Sequence, residues 1–167
     1  MFETSDKSEE SRVPARRLYL AYGSNLHDWE HDSRLAGLLK PVCRAVLPDH
    51  KLGFNRYSSG RKGGVLNIVT CAGHSVIGWL FEVDGDEGWA ALDAKEGAPK
   101  YYQRVNKVVL DDKGQELMVI TYEVTKPEFE EFVRPSESYL NVVREGYTAF
   151  GIDPTALEAA AQGQFPG

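Results

Sequence analysis

Glu96 is the residue whose position asks for a chemical explanation. It sits in Leu92-Asp93-Ala94-Lys95-Glu96-Gly97. Trp89 and Leu92 form the apolar stripe of a helix that Asp84 or Asp86 can cap, and Gly97 stands where a left-handed C′ residue belongs. Glu96 therefore falls in the last turn. The carbonyl end of a helix is electronegative, so an anion there is disfavoured and its pKa rises. A carboxyl group partly protonated near neutrality can take a proton in one step and return it in another. The plain alternative is an exposed terminal glutamate screened by Lys95. A second place for chemistry is Tyr22-Gly23-Ser24-Asn25. There a strand stops at residue types that allow positive φ and a tight turn. Successive N–H groups left without ladder partners converge into a nest, able to hold a carboxylate or a developing oxyanion. The alternative is an ordinary strand-to-loop turn.

Other constellations carry less. His27-Asp28-Trp29-Glu30-His31 matches H-x-x-E-H, whose histidines share one helix face and could ligate zinc. A zinc hydrolase using His27, Glu30 and His31 also needs a third ligand from a second helix, and no helix with a matching carboxylate is evident. Arg61 and Lys62 beside glycines could attract an anion, but a flexible hairpin tip is the simpler reading, and the spacing of a phosphate loop is lacking. No G-x-S-x-G motif is present, and no histidine pairs with a serine in a hydrolase pattern. Cys43 and Cys71 each sit in an apolar run and read as buried packing thiols of an unsecreted chain, with a disulfide as the lesser alternative.

The elements that must position these groups follow from periodicity. Arg17–Ala21 is a short strand of alternating apolar and aromatic residues. Leu26–Leu39 reads as a short helix broken by loop. Val42–Leu47 and Lys51–Asn55 are strand pieces separated by Pro48-Asp49, and residues 56–64 form a loop. Val65–Cys71 and Ser75–Val83 read as a hairpin through Ala72-Gly73-His74. Gly78 marks a bulge or a close backbone approach, and Asn67 must find partners if it faces inward. After the helix bearing Glu96, Tyr101–Leu110 and Glu116–Val124 pair across Asp112-Lys113-Gly114. Ser136 caps a helix whose face carries Tyr139, Val142, Val143 and Tyr147. Tyr139 there could pack as core or offer its hydroxyl to a site. A last short helix spans Thr155–Gln162. About six strands with helices inserted late make an α+β domain.

The 167 residues, 42% hydrophobic, suit one globular domain spanning 16–163, between an acidic, disordered tail at 1–15 and a short tail at 164–167. A net charge of −6 argues against a general nucleic-acid binder. No apolar run is long enough to span a membrane, and the N-terminus lacks a signal peptide's apolar stretch. A cytoplasmic location, a small-molecule substrate, no nucleic-acid or membrane partner, and a monomer or homodimer are expected.

Taken in order, Tyr22-Gly23-Ser24-Asn25-Leu26, Gly64-Val65-Leu66-Asn67, Leu92 to Gly97 and Pro135-Ser136-Glu137-Ser138-Tyr139 resemble the γ-glutamylcyclotransferase family, over roughly Arg17 to Asp153. The resemblance implies a small mixed, mostly antiparallel β-barrel flanked by helices (the γ-glutamylcyclotransferase-like, or AIG2-like, fold), with neither metal nor organic cofactor. It implies cyclisation of a γ-glutamyl amide to 5-oxoproline with release of an amine or amino acid, Glu96 being the general base and acid. It further implies that Tyr19, Leu20, Ala21, Tyr22, Gly23 and Ser24 line the γ-glutamyl pocket, with Tyr139, Tyr102 and Tyr122 contributing. Asn25 belongs to the nest. The non-enzymatic alternative is a binding module that keeps barrel and pocket without turnover.

Overall fold

A computed structural model describes residues 17–164. The tail expected at 1–15 and the terminal residues 165–167 lie outside the described residues. Strand β1 (Leu18–Ala21) leads into helix α1 (Asn25–His31). Two long strands follow, β2 (Leu39–Ser58) and β3 (Gly63–Val83), then α2 (Gly85–Glu96), β4 (Tyr102–Leu110) and β5 (Glu116–Val124). A single 3-10 turn at Lys126–Glu128 precedes α3 (Glu137–Phe150) and α4 (Thr155–Ala161).

The strands close into a barrel in the order β1-β3-β2-β4-β5. All neighbours run antiparallel except β5 and β1, whose parallel pairing sets Tyr19 against Ile120 and shuts the barrel. The expected mixed barrel is thus present. Among the described residues it has five strands rather than about six, because two apparent breaks are bulges. Pro48 pairs with Ser75 and His50 with Thr70, so Asp49 and the four residues 71–74 are extruded together while the ladder resumes on either side. Asp49 and Gly73 both take positive φ, and the Asp49 carboxylate accepts the Gly73 N–H at 3.0 Å. An extra residue in a strand flips which side chains face inward. Accordingly, the buried set of β2 switches from Ala45 and Leu47 to His50, Leu52 and Phe54. Val65–Cys71 and Ser75–Val83 are therefore one strand, and the hairpin joins β2 to β3 at residues 59–62.

Each strand sends a fully buried side chain into one core: Leu20, Phe54, Leu80, Val109 and Val119. Each such side chain contributes about 1.5–3 kcal/mol of burial. Gly78 is a close approach, since a Cβ there would collide with the Ala21 carbonyl. Asn67, buried in β3, accepts the Val124 N–H at 2.9 Å. The Cys43 and Cys71 thiols are free and half-buried rather than buried, and Cys43 packs against the core.

Helix α2 ends as its sequence demands. Gly97 sits at φ 68°, and the Ala98 N–H closes onto the Asp93 carbonyl at 2.9 Å. Helix α3 starts at Ser136, whose hydroxyl accepts the Tyr139 N–H at 3.2 Å. Helix α1 packs on α3 where Gly146 lets Leu26 approach. Among the described residues no helix is long and apolar enough to cross a membrane.

Candidate functional site

Three connections meet at one place: the β1–α1 turn, the end of α2, and the tip of the β2–β3 hairpin. Between them lies a cavity of about 490 Å³. The turn is held by tyrosines. The Tyr22 hydroxyl donates to the Tyr122 carbonyl at 2.7 Å, and the Tyr147 hydroxyl donates to the Tyr22 carbonyl at 3.1 Å. The first helical bonds of α1 come from the N–H groups of Leu26, to Gly23, and of His27 and Asp28, to Ser24. The preceding N–H groups, at residues 23–25, are not used by these bonds.

Glu96 closes α2 and faces this turn. Its carboxylate accepts the Asn25 side-chain N–H at 3.1 Å, and the same Asn25 nitrogen donates to the Tyr19 hydroxyl at 2.8 Å. Asn25 is 3% exposed, and its Oδ1 is buried with no hydrogen-bond partner. Protein packed around the Glu96 carboxyl strips its hydration and raises its pKa above the ordinary glutamate value. The charges of Lys95, Arg56 and Arg61 and the Asn25 hydrogen bond pull it partway back. Burial, more than the helix terminus, is the cause. Lys95 does not pair with Glu96: its ammonium lies 3.1 Å from Asp28, which also meets Arg61 at 3.1 Å and His27 at 3.0 Å.

Five tyrosines line the cavity: Tyr19, Tyr22, Tyr102, Tyr122 and Tyr139. The Tyr102 hydroxyl donates to the Leu66 carbonyl at 2.6 Å, and the Leu66 N–H donates to the Tyr139 hydroxyl at 3.2 Å. The Tyr122 hydroxyl donates to Asp93 at 2.6 Å, whose carboxylate is gripped by both arms of Arg104. Burial pushes the phenols up, Tyr139 to about 12, so they are neutral hydrogen-bonding groups at ordinary pH.

The structure thus brings together Glu96, Tyr19, Tyr22, Gly23, Ser24, Asn25, Tyr102, Tyr122 and Tyr139. Leu20 and Ala21 do not line the cavity; both are fully buried in the barrel wall. Asp28, Arg56, Arg61 and Lys95 line it and were not singled out as site residues. The only sequence signal for them was the arginine-bearing loop at 56–64, which by composition reads as a mobile tip. The histidines of the zinc-like motif stack on each other with centroids 4.3 Å apart, and both border the cavity. The His27 ring nitrogens face Asp28 and Glu145. Among the described residues no three His, Cys, Asp or Glu side chains are grouped to hold a metal.

Residues 19–141 match the family model described as gamma-glutamyl cyclotransferase, AIG2-like. The chain belongs to this family. Among solved structures, one named gamma-glutamyl cyclotransferase is 26% identical with a TM-score of 0.73, over 88% of this chain and 85% of that one. The human protein loc79017 is likewise 26% identical with a TM-score of 0.76, over 92% and 90% of the two chains. The yeast structure named as a γ-glutamyl cyclotransferase specific to glutathione is 12% identical, with a TM-score of 0.62 over 88% and 94%, and shares the fold. Curated proteins yield no significant match. The cavity of this gamma-glutamyl cyclotransferase, AIG2-like chain is lined by one carboxyl group of raised pKa beside an amide, by neutral phenols, and by the cationic side chains of Arg34, Arg56, Arg61 and Lys95.

Proposed function

We propose that this chain cyclises a γ-glutamyl amide to 5-oxoproline, with Glu96 moving the protons. The single observation that carries this reading is the Asn25–Glu96 pair in the cavity of a chain from this family. The substrate's α-amine attacks its own γ-carbonyl carbon; a C–N bond forms, and the bond to the departing nitrogen breaks. The two protons the α-ammonium loses are those the departing amine needs to leave as an ammonium. No water or other co-reactant enters the balance.

An ammonium cannot attack, so a base must first take one of its protons. A carboxylate with a raised pKa is matched to that work, and the acid it becomes can protonate the departing nitrogen. The unpartnered Asn25 Oδ1 beside Glu96 is suited to an ammonium, which has three donors to place. The N–H groups at residues 23–25 suit the α-carboxylate or the tetrahedral oxyanion. Folding the glutamyl chain so that amine and carbonyl meet adds effective molarity.

The test is a mass-spectrometric assay for 5-oxoproline, with wild type and Glu96→Gln incubated against a panel of γ-glutamyl amides in the presence of chelator. Product from wild type and loss of at least about a hundredfold in the variant supports the reading. Substantial activity in Glu96→Gln removes Glu96 from the mechanism. Ligand-dependent thermal stabilisation with no product from any amide assigns the cavity to binding instead.

A further inference from the structure

Four cationic side chains line the cavity, Arg34, Arg56, Arg61 and Lys95. Three are answered by carboxylates: Arg34 by Asp32 at 2.6 Å, and Arg61 and Lys95 by Asp28 at 3.1 Å each. Arg56 differs. Among the described residues no carboxylate pairs with it. One of its terminal nitrogens donates to the Tyr57 carbonyl at 3.1 Å, while its Nε is buried without a hydrogen-bond partner. The guanidinium is nonetheless held in place, 4.6 Å from the Tyr101 ring centroid and 5.5 Å from that of Tyr102. Stacking fixes its plane and orders a fork of donors that matches a carboxylate. A charge left without a counter-ion beside a cavity is costly, and Arg56 lines the cavity with no carboxylate of the protein to answer it, so an anionic group taken up there would be matched by it.

This step rests on the proposed cyclisation. A γ-glutamyl substrate has one carboxylate on the carbon that bears the attacking amine. With the amine at Glu96, the proposal places that carboxylate beside Asn25 and on the N–H groups of the β1–α1 turn. Arg56 stands on another wall, β2, stacked on the start of β4. A group it holds belongs to the other end of the substrate, the departing amine. We propose that Arg56 selects departing amines that carry their own carboxylate, so that the substrates are γ-glutamyl amino acids or peptides rather than γ-glutamyl alkylamines.

The matched pair γ-glutamylalanine and γ-glutamylethylamine differs only in that carboxylate. Wild type is expected to prefer the alanine compound by about 10–100-fold in kcat/KM, the range of one charge-assisted contact, with most of the difference in KM. In Arg56→Gln the preference should collapse to about twofold, over and above any loss common to both substrates through the Glu96 carboxyl that the Arg56 charge also acts on, and Arg56→Lys should restore part of it. A wild type indifferent to the carboxylate overturns the proposal, whether or not the variants fold. So does an Arg56→Gln that weakens both substrates equally, which is the mark of a structural role or of a hold on the α-carboxylate. Should wild type form 5-oxoproline from neither compound, the cyclisation reading is decided separately, on the full panel of γ-glutamyl amides. Calorimetric binding of the same pair to wild type and Arg56→Gln then decides: carboxylate-dependent affinity lost in the variant upholds Arg56, and equal affinities overturn it.

Discussion

At the scale of the residue, the burial that suits the Glu96 carboxyl to the proposed proton transfer also opposes stability. The ordinary pKa of this carboxyl is 4.5, and folding raises it through burial. The folded state then binds more protons than the unfolded one between the two values, so stability falls as pH rises through that window and stays lowered above it. Glu96→Gln removes the penalty. Its melting temperature should exceed that of wild type at pH 7 and converge with it near pH 4; equal melting temperatures at both would mean that the carboxylate is not destabilised by its surroundings. The same shift places the acid limb of kcat/KM above pH 4.5, since the base must be deprotonated in the free enzyme. Asn25 donates to the carboxylate and lowers the pKa. Asn25→Ala should therefore move the acid limb to higher pH and reduce kcat/KM by roughly 10–100-fold. A limb that moves to lower pH would show that the amide favours the protonated form. Glu96 and Asn25 were legible as chemistry because a C′ glycine and a Gly-Ser turn are local signals. Arg56 and Asp28 were not, because what distinguishes them is the presence or absence of partners that lie tens of residues away in sequence.

At the scale of the element, the site depends on how α1 is seated. A Cβ on Gly146 of α3 would lie 2.7 Å from the Leu26 Cβ and 2.9 Å from the His27 nitrogen. Gly146→Val must push α1 away, an overpacking cost of about 1–3 kcal/mol. Because α1 holds Asn25 and Asp28, the variant should also lose turnover beyond what its residual folding explains. Thr148→Val, on the exposed face of the same helix, should change neither the urea midpoint nor kcat/KM. If Gly146→Val is destabilised yet fully active where folded, α1 does not position the site. Helices were readable where their ends are written in residue types, as at Ser136 and Gly97. The long strands were not. Pro48-Asp49 and Ala72-Gly73-His74 have the composition of turns, and they do bend the chain. Only the register between β2 and β3, resumed on both sides of the extrusion, reveals that neither strand ends there.

At the scale of the whole molecule, the barrel has one seam unlike the others. β2 and β3 pair along nearly their whole lengths, whereas β1 meets β5 in parallel through Tyr19 and Ile120, about a hundred residues apart in sequence. No local pattern encodes that closure, so the sequence implied a barrel only through its family resemblance. The seam is reinforced by the Thr121 hydroxyl, which donates to the Leu20 carbonyl at 2.7 Å. The cavity straddles it, with Tyr19 on β1 and Tyr122 on β5. Regions with few non-local ties open before the global unfolding transition. Amide exchange should accordingly be faster in β1 and the facing part of β5 than in β2 and β3. Thr121→Val, which keeps the shape and removes the donor, should cost about 1–2 kcal/mol and accelerate exchange at residues 18–21 and 119–122 selectively. A γ-glutamyl ligand bridging Tyr19 and Tyr122 should slow exchange at those same amides, because it binds the closed barrel and not the opened one. Exchange that rises uniformly over the barrel in Thr121→Val, or ligand protection confined to α2, would mean that closure and binding are independent. Coupled protection would make the parallel seam the part of the fold whose stability the substrate itself supplies.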